Sequence, residues 1–195
     1  MNKIYFLLSL LSTTLLIAQE DISWNENYDI QLADFKSPET NIGSKLTSSL
    51  FLPSAIQFNL AMNSVQFTLT KNFNDKVTVR FQPEAAVLIA PDSIAARNLV
   101  NFANYQFDLS ELYARKLRKE LYLNKKIYTT ITYIQAPFDA NQKEFTARFS
   151  EASARTNMGQ DIEKLEVLHQ EVLKELNELA AYCQFCKLNN KKKST

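Results

Sequence analysis

Alternation with period two fills the middle of the first half of the chain. Phe58, Leu60 and Met62 share one face of an extended segment, Asn63-Ser64 is a polar turn, and Val65, Phe67 and Leu69 alternate again. A second polar turn, Asn72 to Asp75, leads into Val77, Val79 and Phe81. Successive strand side chains point to opposite faces, so this pattern predicts antiparallel hairpins with one buried side. Upstream, Ser37, Pro38 and Glu39 break the segment that ends in Leu32-Ala33-Asp34-Phe35, and Leu46, Ser48 and Leu50 alternate in part within 42–51. Pro83 and Pro91 bracket a last short apolar run, Ala85 to Ala90.

The period changes at Asp92-Ser93, a pair suited to capping a helix. Phe102, Tyr105, Leu109, Leu112, Tyr113, Leu117 and Leu121 then recur at spacings of three and four, the stripe of a long helix. The β-branched stretch 127–134 fits either class. After Pro137, Asp139 to Ala154 reads as a helix, and Thr156-Asn157-Met158-Gly159 punctuates. Gln160 to about Cys186 reads as one long helix with Leu165, Leu168, Val172, Leu176 and Leu179 on its apolar stripe. Strands first and helices after predicts an α+β fold: an N-terminal curled antiparallel sheet, a central helix and C-terminal helices.

Composition narrows the function. The chain has 195 residues, 46% of them apolar, enough for one packed domain. Its formal charge is +1 with no broad basic stretch, which gives nucleic acid no electrostatic hold. Only two glycines occur, Gly43 and Gly159, far apart. A dinucleotide fingerprint or a phosphate-cradling loop needs several in one turn, so both are excluded. The start reads as an export leader: Lys3 supplies the charge, Ile4 to Ile17 the apolar run, and Ala18-Gln19 the small residue for cleavage. That run is too short to span a bilayer core of ~30 Å as a helix, and no other stretch could cross. The expected layout is a signal peptide (1–18), one domain (19–187) and a basic tail (188–195), in the periplasm or outside the cell.

The string Asn98-Leu99-Val100-Asn101-Phe102-Ala103-Asn104-Tyr105-Gln106-Phe107-Asp108-Leu109-Ser110-Glu111-Leu112-Tyr113-Ala114-Arg115 is the most informative. It resembles the central motif of a domain-of-unknown-function family of secreted bacterial proteins taken to be zinc-dependent, zincin-like proteases, Leu-Leu-x-His-Glu-Gln-x-His-Phe-Asp-Ile-x-Glu-x-x-Ala-Arg. Phe107, Asp108, Glu111, Ala114 and Arg115 match it. Two flanks agree with the same family: Ile30-Gln31-Leu32-Ala33-Asp34-Phe35 with Leu-x-Trp-x-Asp-Phe, and Arg155-Thr156-Asn157-Met158-Gly159 with Glu-Thr-x-His-Gly. The likeness spans nearly all of the chain after the leader and implies a zincin-like fold.

The departures fall on the chemistry. Phe102 stands in place of the first histidine, Ala103 of the glutamate, Gln106 of the second histidine and Met158 of the later histidine. Leu32 and Ser37 also depart. Two histidines four apart share a helical face and can ligate one zinc, while the adjacent glutamate works on its bound water. A benzyl ring, a methyl group and a neutral amide supply none of this. The chain has a single histidine, His169, so no site with two imidazoles exists. His169 and Cys183 would lie ~21 Å apart along one helix, far beyond metal–ligand reach. No catalytic residue, metal or cofactor is therefore expected.

The remaining candidates each carry a functional and a plain reading. Phe102, Tyr105 and Gln106 mark either a relic groove or a stripe that fills the former metal site. Glu111 and Arg115 are four apart, in the favourable order for a helical ion pair. His169 is a packed or partly exposed histidine, or a ligand. Cys183 and Cys186 form a redox dithiol, a disulfide or two buried thiols; a helix C-terminus disfavours the first. The composite expectation is an exported, catalytically inactive binding or scaffold module, with a peptide or protein as partner. The alternative is a secreted hydrolase using a site other than the metal one.

Overall fold

The computed structural model describes residues 21–59, 61–126 and 129–188. The expected leader (1–18), residues 189–195 of the expected tail, Leu60 and Ile127 lie outside these. The fold is α+β, as the order of patterns predicts. The strands form two three-stranded sheets. In the first, β5 (Val77–Phe81) lies between β1 (Ile22–Ser23) and β4 (Ser54–Phe58), antiparallel to both, with Ile56 opposite Val79. In the second, β6 (Val87–Ala90) lies between β2 (Asn41–Ile42), parallel to it, and β3 (Ser49–Phe51), antiparallel. Val77, Val79 and Phe81 are buried, as their alternation predicts.

One predicted strand is a helix. Ser64–Leu69 forms α1, and only Phe67 of its apolar residues is buried; Val65 and Leu69 stand 67% and 80% exposed. The cause is local. The Asn63 side chain accepts from the Gln66 amide while the Gln66 side chain accepts from the Asn63 amide. This reciprocal cap satisfies two otherwise orphaned donors and outweighs a short alternation. Phe58 ends β4, so Met62 is not in a strand. Leu46, read as part of an alternation, is 98% exposed in the link between β2 and β3.

The central helix α2 runs from Ser93 to Asn124, with Asp92 accepting from the amides of Ile94 and Ala95. It is buried on opposite sides. Leu99, Ala103, Phe107, Ala114, Leu117 and Leu121 join the core under the sheets. Phe102, Tyr105, Leu109, Leu112 and Tyr113 join a second core formed with α3 (Gln135–Thr156) and α4 (Ile162–Glu178). A helix walled in on two sides needs two apolar stripes.

Both later helices differ from their predicted spans. α3 begins at Gln135, four residues early, because Pro137 falls in its first turn, where no intrahelical donor is needed. α4 ends at Glu178 rather than near Cys186, and a 3₁₀ turn follows at Ala180–Tyr182. Its apolar stripe reaches its last fully packed member at Leu176. Beyond it, buried donors on other elements take the backbone carbonyls: Asn74 binds those of Ala181 and Cys186, and Arg118 that of Tyr182. Among the described residues no helix is long and apolar enough to cross a membrane.

The α3–α4 link passes through three residues of positive φ: Asn157, Met158 and Gly159. Gly159, at φ +84°, sits so close to α2 that a Cβ there would meet the Asn98 carbonyl oxygen at 2.7 Å and Phe102 Cβ at 2.8 Å. Both obstacles are backbone or the root of a side chain, so neither can swing away. Gly159→Ala is expected to destabilise the protein by about 1–3 kcal/mol, through strain and forced separation of α2 from the link. Chemical denaturation of the variant beside the parent measures this.

Candidate functional site

The three positions where the resembled motif carries His, Glu and His do not form a site. Phe102 is 1% exposed. Its ring stacks on Tyr105 at 5.9 Å and packs against Phe149 at 5.6 Å. Ala103 is fully buried in the other core, beneath the sheets. Gln106 turns to the β3–β4 link, where its Nε2 donates to the Leu52 carbonyl at 3.3 Å. Met158 is half-buried and packs against both cores. One helix therefore sends these side chains into three surroundings, and only Gln106 offers a polar atom. Among the described residues no group of three or more His, Cys, Asp or Glu gathers where it could hold a metal.

The matching residues divide into packing and polar roles. Phe107 is buried edge-on against Phe81, 6.1 Å between centroids, and Ala114 is fully buried. Glu111 is buried and held by two arginines. Arg115 Nε donates to its Oε1 at 3.0 Å, the predicted pair, and Arg118 donates to the same oxygen at 2.7 Å and to Oε2 at 3.2 Å. Arg118, with no exposure at all, also donates to the Val77 carbonyl of β5 from Nε and Nη2. Arg115 Nη1 reaches the Leu176 carbonyl of α4 at 2.7 Å. The two guanidinium groups share the one carboxylate and spend further donors on backbone carbonyls, the kind of hydrogen bonding under which buried ions persist. This is structural wiring across α2, β5 and α4.

Asp108 stands apart. Its Oδ1 accepts from the Trp24 indole at 2.7 Å, and its Oδ2 lies 2.7 Å from His169 Nε2. The pair joins α2 to α4 across 61 positions of sequence, and both side chains keep 20% exposure. One turn earlier on α2, Asn104 brackets the backbone of Ile30, accepting from its amide at 2.7 Å and donating to its carbonyl at 3.1 Å. Asn104 and Asp108 thus fasten the segment 24–30 along the helix, since residues four apart share a face. The Arg115 guanidinium lies 5.2 Å from the Trp24 ring centroid, within cation–π range.

Two clefts meet at His169. One, of about 340 Å³, is walled by Trp24, Tyr28, Asp108, Arg115, Leu176 and Ala180 among others. The other, of about 400 Å³, lies between Gln31, Arg97, Asn101, Asn104 and Glu166. Asp29 borders both. Hydrogen bonding to Asp108 through Nε2 leaves Nδ1 without a partner among the described residues, on a ring that lines both clefts. A carboxylate at one imidazole nitrogen fixes the tautomer and leaves the other as the basic atom. Neither cleft is lined by serine, threonine or cysteine, so no aliphatic hydroxyl or thiol is at hand as a nucleophile. Tyr28 is held protonated: burial, and then its hydrogen bond to Asp34 at 2.7 Å, push its pKa well above the usual tyrosine range.

Sequence reasoning read Glu111–Arg115 from its spacing but missed Arg118, Asn104, Trp24 and the link of His169 to Asp108. Cys183 and Cys186 are joined as a disulfide, 3 positions apart in sequence. No protein-family model matches this chain, and comparison with curated proteins and with solved structures gives no match either.

Phe102 generates a clear expectation. Removing a fully buried ring costs about 3–5 kcal/mol when the cavity cannot collapse, and Phe102 is clamped between Tyr105, Phe149 and the Gly159 backbone. Phe102→Ala is expected to lower stability by that amount. Thermal unfolding of variant and parent checks it; an unchanged midpoint would place the ring in an open groove.

Proposed function

We propose that this chain is an exported, non-catalytic relative of the zincin-like protease family that it resembles, acting as a binding or scaffold module for a peptide or protein. The observation that carries the reading is the packing at Phe102, Ala103 and Gln106. Two of these positions are buried in separate apolar cores and the third is tied to a backbone carbonyl. The place of a metal and its water is taken by hydrocarbon, and restoring imidazoles would put polar groups into space shaped for apolar ones. The leader-like start supports export. Near-neutral charge argues against a nucleic-acid partner. The binding surface in this reading is the pair of clefts that meet at His169, beside Trp24.

Asp108–His169 favours a second reading, a metal-independent hydrolase. An imidazole oriented by a carboxylate is the general base of many sites, and it would act on a bound water, because no serine, threonine or cysteine lines either cleft for it to activate. General-base assistance contributes ~10²–10⁴-fold.

One experiment separates the readings. The purified chain is assayed for zinc by elemental analysis and for hydrolysis of casein and p-nitrophenyl acetate, with and without chelator, beside His169→Gln. The expected result is no stoichiometric zinc, and hydrolysis at the blank rate for both proteins. Chelator-insensitive hydrolysis lost in His169→Gln would establish the second reading instead. About one zinc per chain, with activity abolished by the chelator, would overturn both.

A further inference from the structure

The stretch Ala180–Cys186 is fastened to the protein through its backbone. Arg118 Nη1 donates to the Tyr182 carbonyl at 3.0 Å. Asn74 Nδ2 donates to the carbonyls of Ala181 at 3.2 Å and Cys186 at 3.0 Å, and Asn72 Nδ2 reaches the Cys186 carbonyl at 3.3 Å. Arg118 and Asn74 are buried, 0% and 1% exposed. The Cys183–Cys186 disulfide closes the turn that aims these carbonyls inward. Both cysteines are only half-buried, and Phe185 between them is 83% exposed. The bond is thus within reach of a reagent in solution, while the groups that it positions end on donors that solvent does not reach.

We propose that Cys183–Cys186 is a thiol–disulfide exchange site for a dithiol partner, and that its redox state sets the wall of the cleft around Trp24. A partner thiolate attacks one sulfur and forms a mixed disulfide; the other cysteine leaves as thiolate and takes a proton from water. The partner's second thiol, losing its proton, then displaces the first cysteine, which is protonated in turn. The partner ends as a disulfide and the chain as two thiols, so two electrons move and the balance closes. The direction follows from position. The pair lies beyond the C-terminal end of α4, where the helix dipole disfavours thiolate, so it is the target of exchange rather than its catalyst.

Opening the bond frees the turn at 183–186 from its constraint. The Cys186 carbonyl can then leave Asn72 and Asn74, and the Tyr182 carbonyl can leave Arg118, stranding buried donors. Ala180, at the start of the stretch, stands in the wall of the 340 Å³ cleft with Trp24 and His169. Loss of the ties that follow it at Tyr182 and Cys186 is felt there. The cleft's role as a binding site rests on the proposed function, but the exchange does not, and its readout needs no ligand.

The test uses the full oxidised chain and dithiothreitol. Without denaturant, both cysteines become alkylated by iodoacetamide after reduction, shown by mass. The unfolding midpoint falls by roughly 4–8 °C. Acrylamide quenching of Trp24, the single tryptophan, increases. Cys183→Ser/Cys186→Ser matches the reduced parent and does not respond to dithiothreitol. Alkylation only after unfolding would overturn the exchange site, as would reduction that leaves the midpoint unchanged. A lowered midpoint with unaltered Trp24 quenching would overturn the coupling to the cleft. If the double variant does not fold, the reduced parent still decides, and a ligand titration that fails bears on the proposed function alone.

Discussion

A carboxylate inside the protein, Glu111, with one arginine a turn away and another two turns away, sets most of the architecture. Isolated, such a charge would cost many kcal/mol to bury. Here Arg115 and Arg118 close on it, and their remaining donors go to carbonyls of other elements: Val77 on β5, Leu176 on α4 and Tyr182 in the 3₁₀ turn. The ions are satisfied only when the sheet, α4 and the chain after it are all in place around α2. Removing one member of such a group leaves the others buried and unpaired, which typically costs ~3–5 kcal/mol. Hydrophobic burial on both sides of α2 supplies the driving force. The ion network adds direction, because an apolar helix could slide or rotate within two greasy walls and this one cannot.

How much of this is legible in the sequence depends on the separation of the partners. The Asp92 cap and the stripe through Phe102, Tyr105 and Leu109 are local, and they stand as read. Glu111 and Arg115 are four apart, so helix geometry alone brings them together. Arg118 is hidden for a plain reason: seven positions on, its partners other than Glu111 are backbone carbonyls of β5 and the stretch after α4, and no residue type signals a free carbonyl. Likewise nothing in a lone His169 on an apolar-striped helix points to Asp108. Asp108 could be singled out only by the motif resemblance, and even then in another role. Val65–Leu69 misleads for the opposite reason. Its alternation is genuine as a pattern, but the Asn63–Gln66 cap is a stronger local signal and was available in the same residues. The end of α4 is set from outside, by Asn74 and Arg118 capturing carbonyls, so its own stripe overstates its length.

The contrast between Phe102 and Asp108 then carries the functional argument. They lie under two turns apart on one helix, yet the first is sealed and the second is partly open. The difference comes from what crosses above each. At Phe102 the α3–α4 link presses down at Gly159, and three aromatic rings close the space. At Asp108 the covering piece is the segment 24–30, held by Asn104 and Asp108, with a cleft on either side of His169. Asp108 spends both oxygens on holding three elements together, so the pair explains itself as a clasp before any ligand is invoked. What a clasp does not require is an imidazole whose second nitrogen is left unpartnered among the described residues. An asparagine or glutamine at that position could donate the same bond to Asp108 without a basic atom in the cleft. That surplus basic atom, on a residue common to the two clefts, is why the proposed binding surface is put here and not at the packed stripe around residue 102.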